Sequence, residues 1–394
     1  MIRKFPFSLQ SRWQDPKGLV QVFVGPRQVG KTTAAEHLSK EGVTVFASAD
    51  LPAPPTADFV AEKWQVARQL IASNPAQSVS LVLDEVQKIP RWSEVVKGLF
   101  DEDRRTGRQF RVALLGSSAL LIEKGLSESL TGRFEANYFP HWLYSEIKEL
   151  TGADLGTYMR WGGYPKVYDF IGDPERAANY VENSILEPSL GRDILALHSV
   201  DKPALLRQLF WYVSRLPAQL VSYEKILGHL QDRGNSATLA HYAQLLMQAF
   251  LVYPIYKYTA AQHRTKKSTP KWLFPNPGLI HPAVVTEPKS AGFAFENLVG
   301  SHLLNITYGR KRYELKYFRD DNYEIDFIFC KDGEPVLAIE VKSGRIKKIP
   351  TTSRLAQSGI TCPIAVVSRE NVESFLEILD PDQLATYFES SIRE

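Results

Sequence analysis

Cys330 and Cys362 are the only two cysteines among 394 residues. Two thiols cannot build a disulfide framework or a four-ligand zinc site, and so low a count suits a reducing compartment. An excess of one charge is also missing, since 47 Lys and Arg against 44 Asp and Glu leave a net charge of +3. A chain so balanced does not coat nucleic acid as a whole, so any basic surface has to be local. No apolar run approaches the roughly 20 residues that span a bilayer. The opening MIRKFPFSLQSRWQ lacks the apolar core and small-residue cleavage site of a signal peptide. Internal repeats and low-complexity tracts are absent from the sequence. These absences lead to the expectation of a soluble, cytoplasmic protein with no membrane partner. What remains is 44% hydrophobic and 23% charged residues, an ordinary globular balance, in a length that suits two or three domains.

The pattern along the chain divides it into four expected segments. Residues 1–150 alternate apolar, strand-length runs at Leu19–Val24, Val43–Ala47, Ser80–Leu83 and Arg111–Leu115 with helical stretches at Lys31–Leu38, Asp58–Ala72 and Trp92–Arg105. Continuous apolar strands between helices predict a parallel α/β sheet covered on both faces. Residues 151–200 read as a helical linker or lid, broken by Gly162-Gly163 and by Pro188. Residues 201–275 read as helices Pro203–Arg215 and Tyr223–Gln231, and a third that Ser236 or Thr238 caps. Strand Leu251–Tyr258 and a return through Lys271–Phe274 then complete a winged-helix pattern. Residues 276–394 follow the turn Pro275–Gly278. They read as a small mixed α/β domain with helix Phe293–Leu304 and strands at Glu314–Phe318, Tyr323–Phe329, Val336–Val341 and Pro363–Val367.

The segment Gly25-Pro26-Arg27-Gln28-Val29-Gly30-Lys31-Thr32, followed by Thr33, fits G-x-x-x-x-G-K-[ST] between a strand and a helix. Glycines let the backbone turn tightly enough for its N–H groups to converge on phosphates, and the helix N-terminus adds its positive dipole end. Lys31 is expected to reach the β- and γ-phosphates of ATP, and Thr32 to ligate Mg²⁺. A second apolar strand, Leu81-Val82-Leu83, delivers Asp84 and Glu85 at its C-terminal end, where parallel sheets bind ligands. Asp84 is the expected Mg²⁺ partner and Glu85 the residue that orients the attacking water. Strand Arg111–Leu115 ends in Gly116-Ser117-Ser118, so Ser117 or Ser118 reads either as a polar sensor between the two motif strands or as a plain helix cap. Arg133 is a candidate arginine finger, acting in cis or from a neighbouring subunit, or else an ordinary surface arginine.

A second constellation lies near the C-terminus. Glu296 falls on a helix, Asp326 in Tyr-Glu-Ile-Asp-Phe, and Glu340 and Lys342 two apart in Ala-Ile-Glu-Val-Lys. Residues two apart in a strand share a face, and the Lys331-Asp-Gly-Glu-Pro turn makes the two strands neighbours. Asp326 and Glu340, with Glu296 and Lys342, then form either a candidate second Mg²⁺ site of nuclease type or a surface ion pair. Basic residues Arg264, Lys266, Lys267 and Lys271 in the wing, with Arg310-Lys311-Arg312 and residues 345–348, read either as double-stranded DNA phosphate contacts or as solvated charge.

The chain resembles the bacterial and archaeal AAA-type P-loop ATPases that carry a winged helix and a restriction-endonuclease-like C-terminal domain of unknown function. The resemblance rests on Gly25–Thr33, Leu83-Asp-Glu-Val-Gln87, Gly116-Ser-Ser118 and Thr131-Gly-Arg133 ahead of Pro140. It also rests on Gly162-Gly-Tyr-Pro165, Arg192-Asp-Ile194, Phe295-Glu296, Glu324-Ile-Asp-Phe327 and Ile339-Glu-Val-Lys-Ser-Gly344. It implies ATP hydrolysis in the first domain, Arg133 near the phosphates, and nuclease-type residues in the last domain. Asn276 departs from the pattern, where an aspartate is expected. Two functions are open at this point. One is an ATPase coupled to a DNA-binding, nuclease-like module. The other is a regulatory ATPase whose later domains bind a protein partner, as a monomer or an oligomer.

Overall fold

Five short segments rich in Val and Leu form one sheet: β1 (Val20–Val24), β2 (Val43–Ser48), β3 (Val79–Asp84), β4 (Arg111–Gly116) and β5 (Phe134–Tyr138). They pair in the order β2-β3-β4-β1-β5, every pair parallel. The computed structural model describes residues 3, 9–15, 18–53, 55–116, 130–197, 200–231, 234–259, 268–320, 323–344, 355–356, 358–384, 386 and 388. The chain divides into two compact units, Met1–Pro140 and His141–Glu394.

In the first unit β1 is buried at every position and β3 at all but its last, as central parallel strands require. Helix Ala57–Ser73 buries Val60, Trp64 and Ala67, and helix Trp92–Thr106 buries Trp92, Val96 and Phe100. These spacings of three and four residues put one apolar stripe on each helix. The indole of Trp64 donates to Asp103 Oδ2 at 2.6 Å, tying the two helices together. Four strands and three helices match their expected positions to within a residue or so. Strand β5 was not anticipated, because Phe-Glu-Ala-Asn-Tyr is half polar and pairs on one side only, at the sheet edge.

The second unit starts with short helices. Helix Leu155–Trp161 is capped by Asp154, whose carboxylate accepts from Thr157 N at 2.8 Å. Wider, π-type turns at Glu182–Leu186 and Ser189–Asp193 flank Pro188, which lacks the N–H needed for a regular turn. Helices Pro203–Val213, Tyr223–Leu227 and Ser236–Gln248 precede the antiparallel pair β6 (Tyr253–Ile255) and β7 (Lys271–Leu273). The expected order of three helices and a hairpin is therefore present. The second helix stops four residues short of the expected end. The third is capped not by Ser236 or Thr238 but by Asn235, whose Oδ1 accepts from Thr238 N at 2.8 Å. Arg264, Lys266 and Lys267 lie outside the described residues.

Helix Ala291–Ile306 then packs on a four-stranded sheet of order β11-β10-β9-β8, with β8 Tyr313–Asp320, β9 Tyr323–Lys331, β10 Glu334–Lys342 and β11 Ile364–Ser368. The first three strands are antiparallel, while β10 and β11 are parallel. The β9–β10 turn uses Asp332 and Gly333 at φ 52° and 87°, the two positive values that a tight hairpin needs. Gly300 brings the helix onto the sheet, since a Cβ there would sit 2.9 Å from Phe327 Cζ. The expected linker, winged-helix and C-terminal segments all fall inside this second unit.

Candidate functional site

The phosphate-loop segment follows β1 directly. Gly25 is required by space, because a Cβ there would collide with the carbonyl oxygen of Phe139. Gly30 is required by conformation: at φ 89° it caps the helix Lys31–Leu38 in the left-handed region, which L side chains avoid. Lys31 is buried, at 8% exposure, and its Nζ donates to the carbonyls of Gly25 and Pro26 at 2.9 and 2.7 Å. Arg3 adds a brace that the sequence did not reveal, donating to Val29 O at 3.2 Å and Pro140 O at 2.8 Å. A lone arginine near the start of a chain carries no motif that would flag it.

Strand β4 lies between β1 and β3, so the loop after β1 and the carboxylates after β3 flank one strand end. Thr32 Oγ1 donates to Asp84 Oδ2 at 3.1 Å, and Asp84 Oδ1 accepts from Glu85 N at 2.8 Å. Two oxygens roughly 3 Å apart suit adjacent ligands of an octahedral Mg²⁺ with bonds near 2.1 Å, so these residues fit the metal that ATP carries. Glu85 takes a left-handed turn at φ 53°, and its Oε2 accepts from the Gln87 amide. Gln87 lies inside the quoted Leu-Asp-Glu-Val-Gln run, yet its hold on Glu85 was not foreseen. Ser117 and Ser118 lie outside the described residues.

Arg133 is placed differently from expectation. It immediately precedes β5, whose Phe134 pairs with Val20 at the entry of β1, whereas the phosphate loop leaves the other end. Five to six strand residues separate the two levels, roughly 15–20 Å at about 3.3 Å each. Its guanidinium grips Asp101 through Nε and Nη2 at 2.7 and 2.9 Å. A role at the phosphates of its own chain is therefore corrected, which leaves action on a neighbouring subunit's site or an ordinary surface arginine paired with Asp101.

The C-terminal carboxylates do come together, but around an unexpected residue. Lys271, expected on an exposed wing, is 1% exposed on β7. Its Nζ lies 2.6 Å from Glu296 Oε1, 3.4 Å from Glu324 Oε1 and 3.5 Å from Asp326 Oδ1. Asp326 Oδ2 accepts from Val341 N at 2.7 Å. Lys342 bonds Glu340 Oε1, while Glu340 Oε2 is buried without a hydrogen-bond partner. Burial works against the charge on Lys271, but Glu296 and Asp326 outweigh it and hold the ammonium above its usual range. Burial pushes the Glu296 carboxyl up, partly offset by Lys271 and reinforced by Asp326. Burial and then Asp326 push Glu340 up. Among the described residues no trio of His, Cys, Asp or Glu is arranged to hold a metal. The residues expected to form a Mg²⁺ site, Asp326, Glu340, Glu296 and Lys342, therefore gather with a second lysine ammonium, Lys271, against Glu296 and Asp326. The basic clusters are changed too. Arg310 pairs with Asp380 at 3.2 Å and Arg312 with Asp332 at 2.6 Å, while residues 345–348 lie outside the described residues.

Asn276, the residue that departs from the family pattern, is fully buried. Its Oδ1 accepts from Gly163 N at 2.9 Å and Gly278 N at 3.0 Å, and its Nδ2 faces His141 Nδ1 at 3.2 Å. A Cβ on Gly162 would run into Asn276 Oδ1, and one on Gly163 into the Trp142 carbonyl, which explains the Gly-Gly pair. Among the described residues, no helix is long and apolar enough to cross a membrane.

Residues 17–148 match the family described as AAA domain. Residues 152–290 match a Domain of unknown function (DUF8612), and residues 291–375 another (DUF4143). An uncharacterized protein of Haemophilus influenzae is 24% identical over 278 residues, 67% of this chain and 66% of its own length. One from Methanocaldococcus jannaschii is 22% identical over 288 residues, 68% of this chain and 62% of its own. The chain thus spans just under two thirds of the length of these relatives. A Walker-type ATPase of Pyrococcus abyssi superposes with a TM-score of 0.48 at 13% identity, over 71% of this chain and 95% of that one. With its parallel sheet of order β2-β3-β4-β1-β5 and its phosphate-loop sequence, the first unit is an AAA-type P-loop ATPase domain, and the chain continues through two domains of unknown function.

Proposed function

We propose that the protein is a regulatory ATPase, which hydrolyses ATP to ADP and phosphate in its first unit and uses nucleotide state to set the conformation presented to a protein partner. The observation that carries the chemistry is the meeting of Thr32 and Asp84 at 3.1 Å beside the buried Lys31. The loop of residues 25–30 supplies backbone N–H groups to the phosphates. Lys31 turns its ammonium from the Gly25 and Pro26 carbonyls to the β- and γ-phosphates. Thr32 and Asp84 hold Mg²⁺, which neutralises phosphate charge when bound. Glu85 accepts a proton from the attacking water, and releasing Gln87 frees its Oε2 to do so. Ser117 is retained as the residue that senses the γ-phosphate, and Arg133 as a finger supplied to an adjacent copy.

Three observations favour the regulatory reading over a DNA-cutting one. Lys271 is buried, Arg310 and Arg312 are paired with carboxylates, and the C-terminal cluster already contains a cation. The test is phosphate release by wild type, Lys31→Ala and Glu85→Gln, with and without double-stranded DNA at low salt. Turnover falling about 10²–10⁴-fold in Glu85→Gln with nucleotide binding retained is expected. Lys31→Ala is expected to lose both binding and turnover. Wild-type rates in Glu85→Gln would show that another group handles the water. A DNA-stimulated rate that collapses with added salt would move the assignment to a DNA-acting enzyme.

A further inference from the structure

Outside the phosphate loop, carboxylates gather around the buried Lys271. Glu324 and Asp326 project from the same face of β9, Glu296 comes from the helix above, and Glu340 from the neighbouring β10. Such an acidic cluster ordinarily needs a cation from solvent. Here the chain supplies its own, because the Lys271 ammonium lies within 3.5 Å of an oxygen from each of Glu296, Glu324 and Asp326. The faces of Tyr317 and Phe327 complete its surroundings, with ring centroids at 5.9 and 5.5 Å.

The segment that carries the lysine is fixed on both sides. Trp272 donates its indole N–H to Val221 O at 2.9 Å and its backbone N–H to Gln219 O at 3.1 Å. Phe274 donates to Asn297 Oδ1 at 2.8 Å and accepts from Asn297 Nδ2 at 3.1 Å. All three residues of β7 are buried. These bonds hold the hairpin in place independently of the lysine side chain, so the arrangement is a fixed joint rather than a gate.

We propose that Lys271 is the resident cation of this cluster, standing on the side where Glu296 and Asp326 would otherwise share a divalent metal. The nuclease-like carboxylates then join the hairpin β6–β7 to the C-terminal sheet instead of cutting phosphodiesters. A Mg²⁺ ligated by Glu296 Oε1 or Asp326 Oδ1 would lie about 2.1 Å from an oxygen that already faces the ammonium, and the two cations would repel at close range in a buried site. Asp326 Oδ2 has its own donor in Val341 N. The joint has further seams along the same edge. Tyr258 N donates to Tyr317 O at 2.7 Å, Tyr317 N to Tyr256 O at 3.2 Å, and Tyr317 Oη to Thr269 O at 2.6 Å.

The test uses nucleotide-free full-length protein carrying Asp84→Ala, so that the phosphate loop contributes no metal site, and Mn²⁺ as the probe, with free Mn²⁺ read by electron paramagnetic resonance. The parent is expected to show no site tighter than about 1 mM. Adding Lys271→Ala is expected to create one Mn²⁺ site per chain, at least about tenfold tighter, that Glu296→Gln then removes. A folded Lys271→Ala protein that still excludes Mn²⁺ would overturn the placement of the ammonium at the metal position. If Lys271→Ala does not fold, the parent decides alone: sub-millimolar Mn²⁺ binding that Asp326→Asn abolishes overturns the proposal. Mn²⁺-dependent DNA cleavage that Lys342→Ala abolishes overturns it equally.

Discussion

His302 offers a measurement that joins burial to pH. It lies on helix Ala291–Ile306 at 3% exposure, its ring 5.1 Å from that of Phe375 and its Nε2 2.9 Å from Ile378 O. Nδ1 is buried and has no hydrogen-bond partner. A second proton on the ring would have to sit at that nitrogen, facing apolar groups, so burial lowers the pKa from 6.5 to about 4. The neutral ring is the folded form, and the unfolded chain binds the extra proton first. The contribution is therefore intact above about pH 6.5 and is lost as pH falls from 6.5 toward 4. Such a depression corresponds to roughly 3 kcal/mol when fully expressed, and to somewhat less at about pH 4.5. Urea unfolding of wild type and His302→Gln, each at about pH 7.5 and 4.5, isolates the effect, because all other titrations cancel in the difference. The wild type should lose roughly 2–3 kcal/mol more than the variant across that interval. Parallel losses, or an imidazole that titrates by NMR near pH 6.5, would refute the assignment of a buried neutral ring.

Gly25→Ala should weaken nucleotide binding at least about tenfold, because the new Cβ meets the Phe139 carbonyl and the loop has to shift; a fluorescent-nucleotide titration with unchanged Kd would contradict this. Asn276→Ala should destabilise the second unit by roughly 2–5 kcal/mol, since the amides of Gly163 and Gly278 lose their buried acceptor. Urea unfolding that shows a loss below about 1 kcal/mol would show that water or a local shift replaces the Asn276 oxygen.

The elements around the phosphate-loop segment were legible because they are local. Strand, glycine turn and helix are contiguous in residues 20–38, and Asp84-Glu85 ends its own apolar strand. The end of the sheet at which Arg133 lies was not legible, because that depends on β5, an edge strand whose half-polar sequence gives no clear alternation. Lys271 was misread for a related reason. It stands close in sequence to Lys266 and Lys267 and so looks like one more solvated wing lysine. Its burial is decided by Glu296, Glu324 and Asp326, which lie 25 to 55 positions away. Asp326 does come beside Glu340 as expected, but not through the turn at Asp332-Gly333 alone: the pairing that starts with Glu334 against Lys331 shifts by one between Pro335 and Leu337, a bulge that the sequence did not announce.

The backbone enters the second unit at His141, and that entry point is anchored. The His141 amide donates to Asn305 Oδ1 at 3.0 Å, and its ring faces Asn276 Nδ2 at 3.2 Å and the Phe250 carbonyl at 3.3 Å. Asn305 in turn donates to Pro275 O at 2.6 Å. The residue with which the second unit begins is thus built into that unit's own interior, bound to segments that lie more than 100 positions further along the chain.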